Sequence, residues 1–273
     1  MGIHSTASFR KDSRRGFTII ETMLVLAVTG VLIATLLVGI GASINTQRYK
    51  DSVVSLKSLL QSQYSMASDV SNARSKNWTC SSSATPVPNA IGTAVGQSDC
   101  VLLGRYISIV GGDVSSAAIV GYENSTASAP NDVAEINNNY TLGVSTDSID
   151  SSTLEWGSAI AWPASGAGSK SPTTPRSIAI LVIRSPSSGT SYTFTSDTVY
   201  DITTITSAAL KTMMVVNTGA VPGQQQRTLC VDPNGVTVPE KIAVYIGQAA
   251  SDSSAIETRT NATIQSLGGD TKC

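Results

Sequence analysis

The pattern of hydrophobic and polar positions divides the chain into an apolar N-terminal segment, an amphipathic segment and a long polar remainder. Residues 17–42 are almost entirely apolar, and they exceed the roughly 20 residues that a bilayer-spanning helix needs. Beyond them, Leu56, Leu60 and Tyr64 recur at every fourth position, which predicts that one stripe of a continuing helix packs on a folded domain. No proline interrupts 17–77, so we predict one helix of about 60 residues, roughly 90 Å long.

After residue 77 the pattern changes to short apolar runs separated by serine, threonine, glycine and asparagine. Turn sequences stand at 185–189 (SPSSG), 222–223 (PG) and 232–235 (DPNG), whereas 124–175 is poor in strand signal and should form long loops. Several strands after one long helix favour an α+β fold with a mainly antiparallel sheet. The predicted strands are 101–110, 117–122, 177–184, 191–195, 213–216, 229–231 and 241–246.

The charges that flank the apolar run indicate its orientation in a membrane. A basic cluster precedes it, which by the positive-inside rule places the N-terminus in the cytoplasm and the rest of the chain outside. A cleaved secretory signal is the alternative, but its apolar region is shorter, and 42–44 is not a convincing cleavage site. The basic residues are Arg10, Lys11, Arg14 and Arg15.

Composition narrows the functions open to the chain. Its 273 residues suffice for a sizeable core, and the charged fraction of 14% is well below the roughly 25% of a typical soluble domain. The net charge of −1 does not indicate a protein with a general nucleic-acid-binding surface. The single histidine is His4, which excludes a Ser-His-Asp site and a histidine metal cluster from the body of the protein.

Glu21 is the one charge within 17–42, and it needs a physical reason. A carboxylate inside a membrane helix costs about 2.5–3.5 kcal/mol on insertion scales, and less near the interface. It could simply favour the positive end of the helix dipole. It could instead be a buried partner for a positive charge of another chain, such as an amine created at Phe17 by cleavage after Gly16.

The N-terminal sequence resembles the class III signal of type IV pilins and pseudopilins. It has the same order of features: basic residues, Gly16, Phe17, a short apolar stretch, Glu21 and a long apolar helix. The resemblance implies that a prepilin peptidase cleaves after Gly16 and that Phe17 becomes N-methylated. It also implies that Glu21 neutralises the Phe17 amine of a neighbouring subunit when the helices stack into a filament.

The same resemblance implies a pilin fold with four segments. Residues 1–16 are the leader, 17–49 the hydrophobic transmembrane or filament-core helix, 50–77 its amphipathic half, and 78–273 an extracytoplasmic β-rich domain. Removal of the leader leaves 257 residues with 14 basic and 18 acidic side chains, a net charge of −4. That length is large for many major pilins and favours a minor one, and the general layout is similar to the H-type pseudopilin branch.

Four cysteines on a translocated chain favour two disulfides. Three pairings are open; we favour Cys80–Cys100, which closes a short loop after the helix, and Cys230–Cys273. The second pair is similar to the C-terminal loop that type IV pilins often close in this way. No spacing is C-x-x-C, so we expect neither a metal nor a cofactor.

The remaining signals are weak. Arg105, Arg176, Arg184 and Arg227 could line a DNA-binding face, but we expect solvated surface charges, so nucleic-acid binding is unsupported. For Trp156 and Trp162 we expect burial among loops; exposed, they could bind a glycan or a partner.

The sequence therefore predicts a structural filament subunit without catalytic residues, not an enzyme. Its expected partners are other pilin subunits, the prepilin peptidase and the inner-membrane pilus assembly machinery. The precursor is expected in the cytoplasmic membrane, and the assembled subunit in an extracellular filament or at the cell surface. The alternatives are a type II secretion pseudopilin and, more remotely, a non-polymerising single-span protein with a ligand-binding domain.

Overall fold

A computed structural model describes residues 16–69, 78–88, 98–164, 174–214, 226–266 and 273. The chain forms two compact units, Met1–Ile44 and Asn45–Cys273. One long helix followed by antiparallel sheets confirms the predicted α+β class. The described helices are α1 (Ile19–Ser68), α2 (Asp132–Asn139), α3 (Ser207–Met213) and α4 (Asn261–Ser266). The described strands are β1 (Trp78–Cys80), β2 (Pro86–Pro88), β3 (Cys100–Val110), β4 (Asp113–Glu123), β5 (Tyr140–Val144), β6 (Asp150–Thr153), β7 (Ala159–Ala161), β8 (Ser177–Arg184), β9 (Ser191–Ser196), β10 (Arg227–Asp232), β11 (Ile242–Ile246) and β12 (Ile256–Thr260).

Helix α1 ends at Ser68, and Asp69 is already outside it. The rest of the predicted helix, 70–77, lies outside the described residues. Within the globular unit, α1 buries one stripe at intervals of three and four residues, as the periodicity predicts. The buried residues are Tyr49, Ser52, Val53, Leu56, Leu60, Gln63, Tyr64 and Ala67.

Two antiparallel sheets form most of the globular unit. The larger has the order β5-β4-β3-β8-β9, with β6 paired to β4, and the smaller has the order β12-β11-β10-β7. Strands β1 and β2 form a separate short pair. Every pairing between named strands is antiparallel, as the sequence predicts.

Strand β8 shows how the layers stack, because it is buried on both faces. Its Ile178, Ile180 and Val182 join the α1 stripe and the smaller sheet in one hydrophobic cluster. Its alternate residues Leu181 and Ile183 join a second cluster with side chains of α2 and α3. The larger sheet therefore has α1 and the smaller sheet on one face and the short helices on the other, since successive strand residues point to opposite faces.

Two buried tyrosine hydroxyls of α1 bond to the sheets. The Tyr49 hydroxyl accepts from the Ile242 amide (2.7 Å) and lies 3.2 Å from the Val231 carbonyl oxygen. The Tyr64 hydroxyl lies 2.8 Å from Thr193 Oγ1, which donates to the carbonyl oxygen of Ala250 (2.6 Å). Strands of both sheets thus share hydrogen bonds with one helix face.

The strands predicted within 101–110, 117–122, 177–184, 191–195, 229–231 and 241–246 are confirmed, with bounds shifted by a few residues at most ends. The hairpin at 185–189 joins β8 to β9, and Gly189 has φ of +74°, a conformation that glycine adopts without strain. The turn at 232–235 follows β10, while the turn at 222–223 lies outside the described residues.

Two predictions about local structure are wrong. The strand at 213–216 is instead the end of α3: Met213 is its last residue and Met214 its C-cap. The apolar pair continues a helical stripe from Leu210 that is buried under the larger sheet. Residues 215–216 lie outside the described residues. The expected loops of 124–175 contain α2, β5, β6 and β7.

Candidate processing and assembly site

Gly16 and Phe17 lie just before the first residue of α1 and are both exposed; Phe17 keeps 76% of its surface. Residues 16–18 are not helical. The peptide bond between Gly16 and Phe17 therefore lies outside the helical hydrogen-bond ladder, where a peptidase does not have to unwind a helix to reach it. Residues 1–15, the rest of the predicted leader, lie outside the described residues.

Thr18 begins the helix, and sequence reasoning did not single it out. The Glu21 amide donates to Thr18 Oγ1 (3.3 Å), and the Thr22 amide donates to the Thr18 carbonyl oxygen (3.1 Å). Thr18 is thus an N-cap with a glutamate at the third helical position, the T-x-x-E order of a capping box. That order is readable in the sequence and could have placed the helix start.

Glu21 lies in the first turn of α1, where a negative charge suits the positive end of the helix. Its side chain is exposed. Within the part of the chain that the structure describes, the carboxylate has neither a salt bridge nor a side-chain hydrogen bond. In an apolar surrounding, such a carboxylate is costly unless a positive group pairs with it.

The rest of the segment up to Ile44 is apolar on all sides, and its large side chains are uncovered. Three threonine hydroxyls donate to backbone carbonyl oxygens of the same helix. Thr22 donates to Ile19, Thr29 to Val25 and Thr35 to Leu32, at 2.8 to 2.9 Å. These internal bonds lower the cost of placing the three threonines in lipid or among other helices, because each of their hydroxyls has an acceptor.

Among the described residues, α1 is the one helix that is long and apolar enough to cross a membrane. Its most apolar window has a mean hydropathy of 2.7 and is 0% buried. A helix that is hydrophobic all round and uncovered by its own chain requires an apolar environment from outside, either lipid or neighbouring helices.

Comparison with protein families finds the prokaryotic N-terminal methylation motif at residues 11–37. The motif spans Gly16, Phe17 and Glu21 and most of the apolar part of the helix, as far as residue 37. The motif and the long apolar N-terminal helix together fit a type IV pilin-like protein. Neither the curated proteins nor the solved structures contain a significant match to the chain.

The motif implies that the pilin-like precursor is processed by a prepilin peptidase and assembles into pilus-like filaments, and the apolar helix suggests membrane anchoring before assembly. Gly16, Phe17 and Glu21 all lie within the motif, in one exposed segment of six residues, 16–21.

The globular unit contains two disulfides. Cys80 is joined to Cys100, with Cα atoms 5.8 Å apart, and Cys230 is joined to Cys273, with Cα atoms 5.5 Å apart. These are the two pairs favoured from the sequence. The first connects β1 to the start of β3, and the second fixes the last residue of the chain to β10.

Two of the four arginines, Arg105 and Arg176, are buried and are not part of an exposed basic face. Arg105 is buried and donates to Gln63 (2.8 Å) and to Asp150 (3.1 Å). Arg176 is also buried and donates to Asp197 (2.9 Å), and burial lowers the pKa of its guanidinium. The expectation of solvated charges is wrong for both residues, because each guanidinium is buried and donates to a carboxylate that is itself partly or largely exposed.

The tryptophans also differ from expectation. Trp156 is exposed over 56% of its surface, so the prediction of burial is wrong for it. Trp162 is partly buried and lies under the guanidinium of Arg176, 4.3 Å from the ring centroid. A cation held over an aromatic ring in this way stabilises both groups.

Proposed function

We propose that this protein is a minor structural subunit of a type IV pilus or a related filament, cleaved between Gly16 and Phe17 and methylated at Phe17. The observation that carries the proposal is an uncovered apolar helix that begins inside the methylation motif and holds one charged residue, Glu21, which has no salt bridge among the described residues. Such a helix is suited first to lipid and then to a bundle of apolar helices from other pilin subunits.

In the assembled bundle, the Phe17 amine of one subunit would meet the Glu21 carboxylate of its neighbour. Cleavage after Gly16 creates that amine as a cation beside the only acidic residue of the apolar segment. Both charges would leave water together, and each would otherwise be a buried charge without a partner. The pair thus favours one register between neighbouring helices over shifted ones.

On this proposal the protein is not an enzyme, and residues 45–273 act as the surface of the subunit. The large mature chain supports a minor rather than a major subunit. A type II secretion pseudopilin is the alternative, and it would undergo the same cleavage. The assembled protein would lie outside the cell in the first case and within the envelope in the second.

The first experiment is the mass spectrum of the N-terminus of the protein expressed in its own host. We expect a terminus at Phe17 that carries one added methyl group. A terminus that retains residues 1–16, or a cut after the apolar segment, would contradict the proposed processing and with it the filament role.

The second experiment tests assembly separately from processing. Glu21→Ala and Glu21→Gln should be cleaved normally but should be depleted about tenfold or more from sheared surface filaments, since an unpaired buried charge costs about 3–5 kcal/mol. Thr22→Ala is the matched control, because the Thr22 hydroxyl already bonds inside its own helix. Normal incorporation of the Glu21 variants would contradict the charge pairing. A loss of protein secretion in these variants, in a host without surface filaments, would favour the pseudopilin.

A further inference from the structure

Trp156 is held in an unusual backbone conformation on the surface of the globular unit. Its φ is +59°, and Gly157 follows with φ of +68°. A bulky side chain rarely adopts this left-handed region, so the surrounding structure has to impose it. The segment is fixed at both ends, because the amides of Leu154 and Ile160 donate to the carbonyl oxygens of Gly112 and Gly111, both at 2.8 Å. The indole is thus presented to the outside by a rigid turn.

Arg48 of α1 lies against this indole, with its guanidinium carbon 4.7 Å from the ring centroid. The next residue, Tyr49, is buried and bonded to β10 and β11. The position of Arg48 relative to the sheets is therefore set by its neighbour on the helix. An aromatic ring with a cation at one face is an arrangement that fits a boundary between an apolar and a charged environment.

The pair lies beside the point where the chain leaves the globular unit. That unit begins at Asn45, and Arg48 follows three residues later in the same helix, less than one turn away. On the other side of Asn45, the chain is the apolar segment that ends at Ile44. This placement depends only on contacts inside Asn45–Cys273.

We propose that Trp156 and Arg48 form a lipid-contacting site that binds phospholipid headgroups of the extracytoplasmic leaflet while the subunit is anchored in the membrane. Indole rings concentrate at the level of the headgroups because they have an apolar body and one N–H donor. The Arg48 guanidinium supplies donors for a lipid phosphate, as planar guanidinium groups do for phosphates in general. The inference rests on the membrane anchoring in the proposed function, but not on cleavage or assembly.

The neighbouring charges favour a zwitterionic or mixed bilayer over a purely anionic one. Lys50 is a second cation on the first turns of the globular part of α1, while Asp51 and Glu155 are acidic. Asp51 accepts from Gln47 (2.9 Å), so part of its charge is engaged on the helix. A sugar site would be expected to have several polar side chains over the ring, whereas here Arg48 lies over it.

The test uses the full-length chain reconstituted in vesicles of phosphatidylethanolamine and phosphatidylglycerol whose acyl chains are brominated next to the glycerol. Bromine quenches only tryptophans at that depth. The tryptophan fluorescence of the protein should fall by at most the fraction that one of its three tryptophans contributes. Trp156→Phe should abolish the quenching, Arg48→Gln should weaken it, and Trp162→Phe, the matched control, should leave it unchanged.

Insertion is measured separately by flotation of the same vesicles. If the protein floats and Trp156→Phe is quenched as strongly as the parent chain, the lipid site is overturned while the proposed function stands. If the protein does not float with the vesicles, both fail. Quenching could instead depend on the protein-to-lipid ratio and not on bromine. That result would identify a second copy of the protein as the occupant of the Trp156 surface, and it would also overturn the proposal.

Discussion

Tyr49 and Tyr64 are buried hydroxyls whose ionisation would break the contacts between α1 and the sheets. Burial raises the pKa of each from 10.0 to about 12. The unfolded chain releases these protons near pH 10, but the folded protein retains them to about pH 12. Their contribution to stability is therefore complete below pH 10 and is lost as the pH rises from about 10 to 12.

We predict that the free energy of unfolding falls over that window, by up to about 1.4 kcal/mol per pH unit for each fully shifted tyrosine. Urea unfolding of the full-length protein in detergent, followed at several pH values, measures the slope. Tyr49→Phe should reduce the slope and should cost about 1–3 kcal/mol at neutral pH, because the Ile242 amide loses its acceptor. Tyr122→Phe, at a partly buried tyrosine of β4, is the control. An unchanged slope in Tyr49→Phe would contradict the assignment.

At this scale the sequence reveals some features and not others. The methylation motif that contains Gly16, Phe17 and Glu21 can be found from the sequence, because it depends only on the local order of residues along the chain. The environment of Arg105 cannot, because its partners Gln63 and Asp150 are 42 and 45 positions away and meet it only in the folded sheet. The exposure of Trp156 likewise depends on a backbone conformation that composition does not reveal.

Among the elements, α1 has two sides that should respond differently to mutation. Leu56 is fully buried in the main cluster, whereas Val54, two residues earlier, is 58% exposed. We predict that Leu56→Ala lowers the free energy of unfolding by about 2–5 kcal/mol, as large-to-small changes in a core do. Val54→Ala, on the same helix, should change it by about 0.5 kcal/mol or less. Equal losses in urea unfolding would mean that this stripe is not the buried one.

The elements that the sequence missed lack a strong apolar pattern of their own. Helix α2 contains three consecutive asparagines, which are weak helix formers, and it is held by the fully buried Ile136 and by the N-cap Asn131, whose side chain accepts from Ala134 (2.9 Å). Strand β6 is exposed throughout and exists through its pairing with β4. Such elements are determined by their neighbours.

Strand β5 could have been found more easily. Tyr140 and Leu142 alternate on its buried side, a period of two that indicates a strand. Gly143 obscures the pattern, but the structure requires it: a Cβ at this position would collide with the carbonyl oxygen of Ala84. A glycine inside a strand pattern can thus mark the close approach of another backbone.

For the whole molecule, the two disulfides should contribute unequally to stability. The Cys230–Cys273 pair spans 43 positions and the Cys80–Cys100 pair spans 20. Loop-closure entropy predicts about 4 kcal/mol for the first and about 3 kcal/mol for the second. Urea unfolding of Cys230→Ser/Cys273→Ser and of Cys80→Ser/Cys100→Ser, each without reductant, measures the two losses. A smaller loss for the C-terminal pair than for the other would contradict this order.

The same covalent loops limit how far the subunit can stretch under load. Tension applied through α1 reaches β10 and β11 by way of Tyr49, and Cys230 is the residue directly before Val231, which that tyrosine contacts. At about 3.5 Å per extended residue, the segments closed by the two disulfides withhold roughly 220 Å of chain from mechanical extension. A subunit pulled from its helix would therefore lengthen only until the covalent loops carry the force.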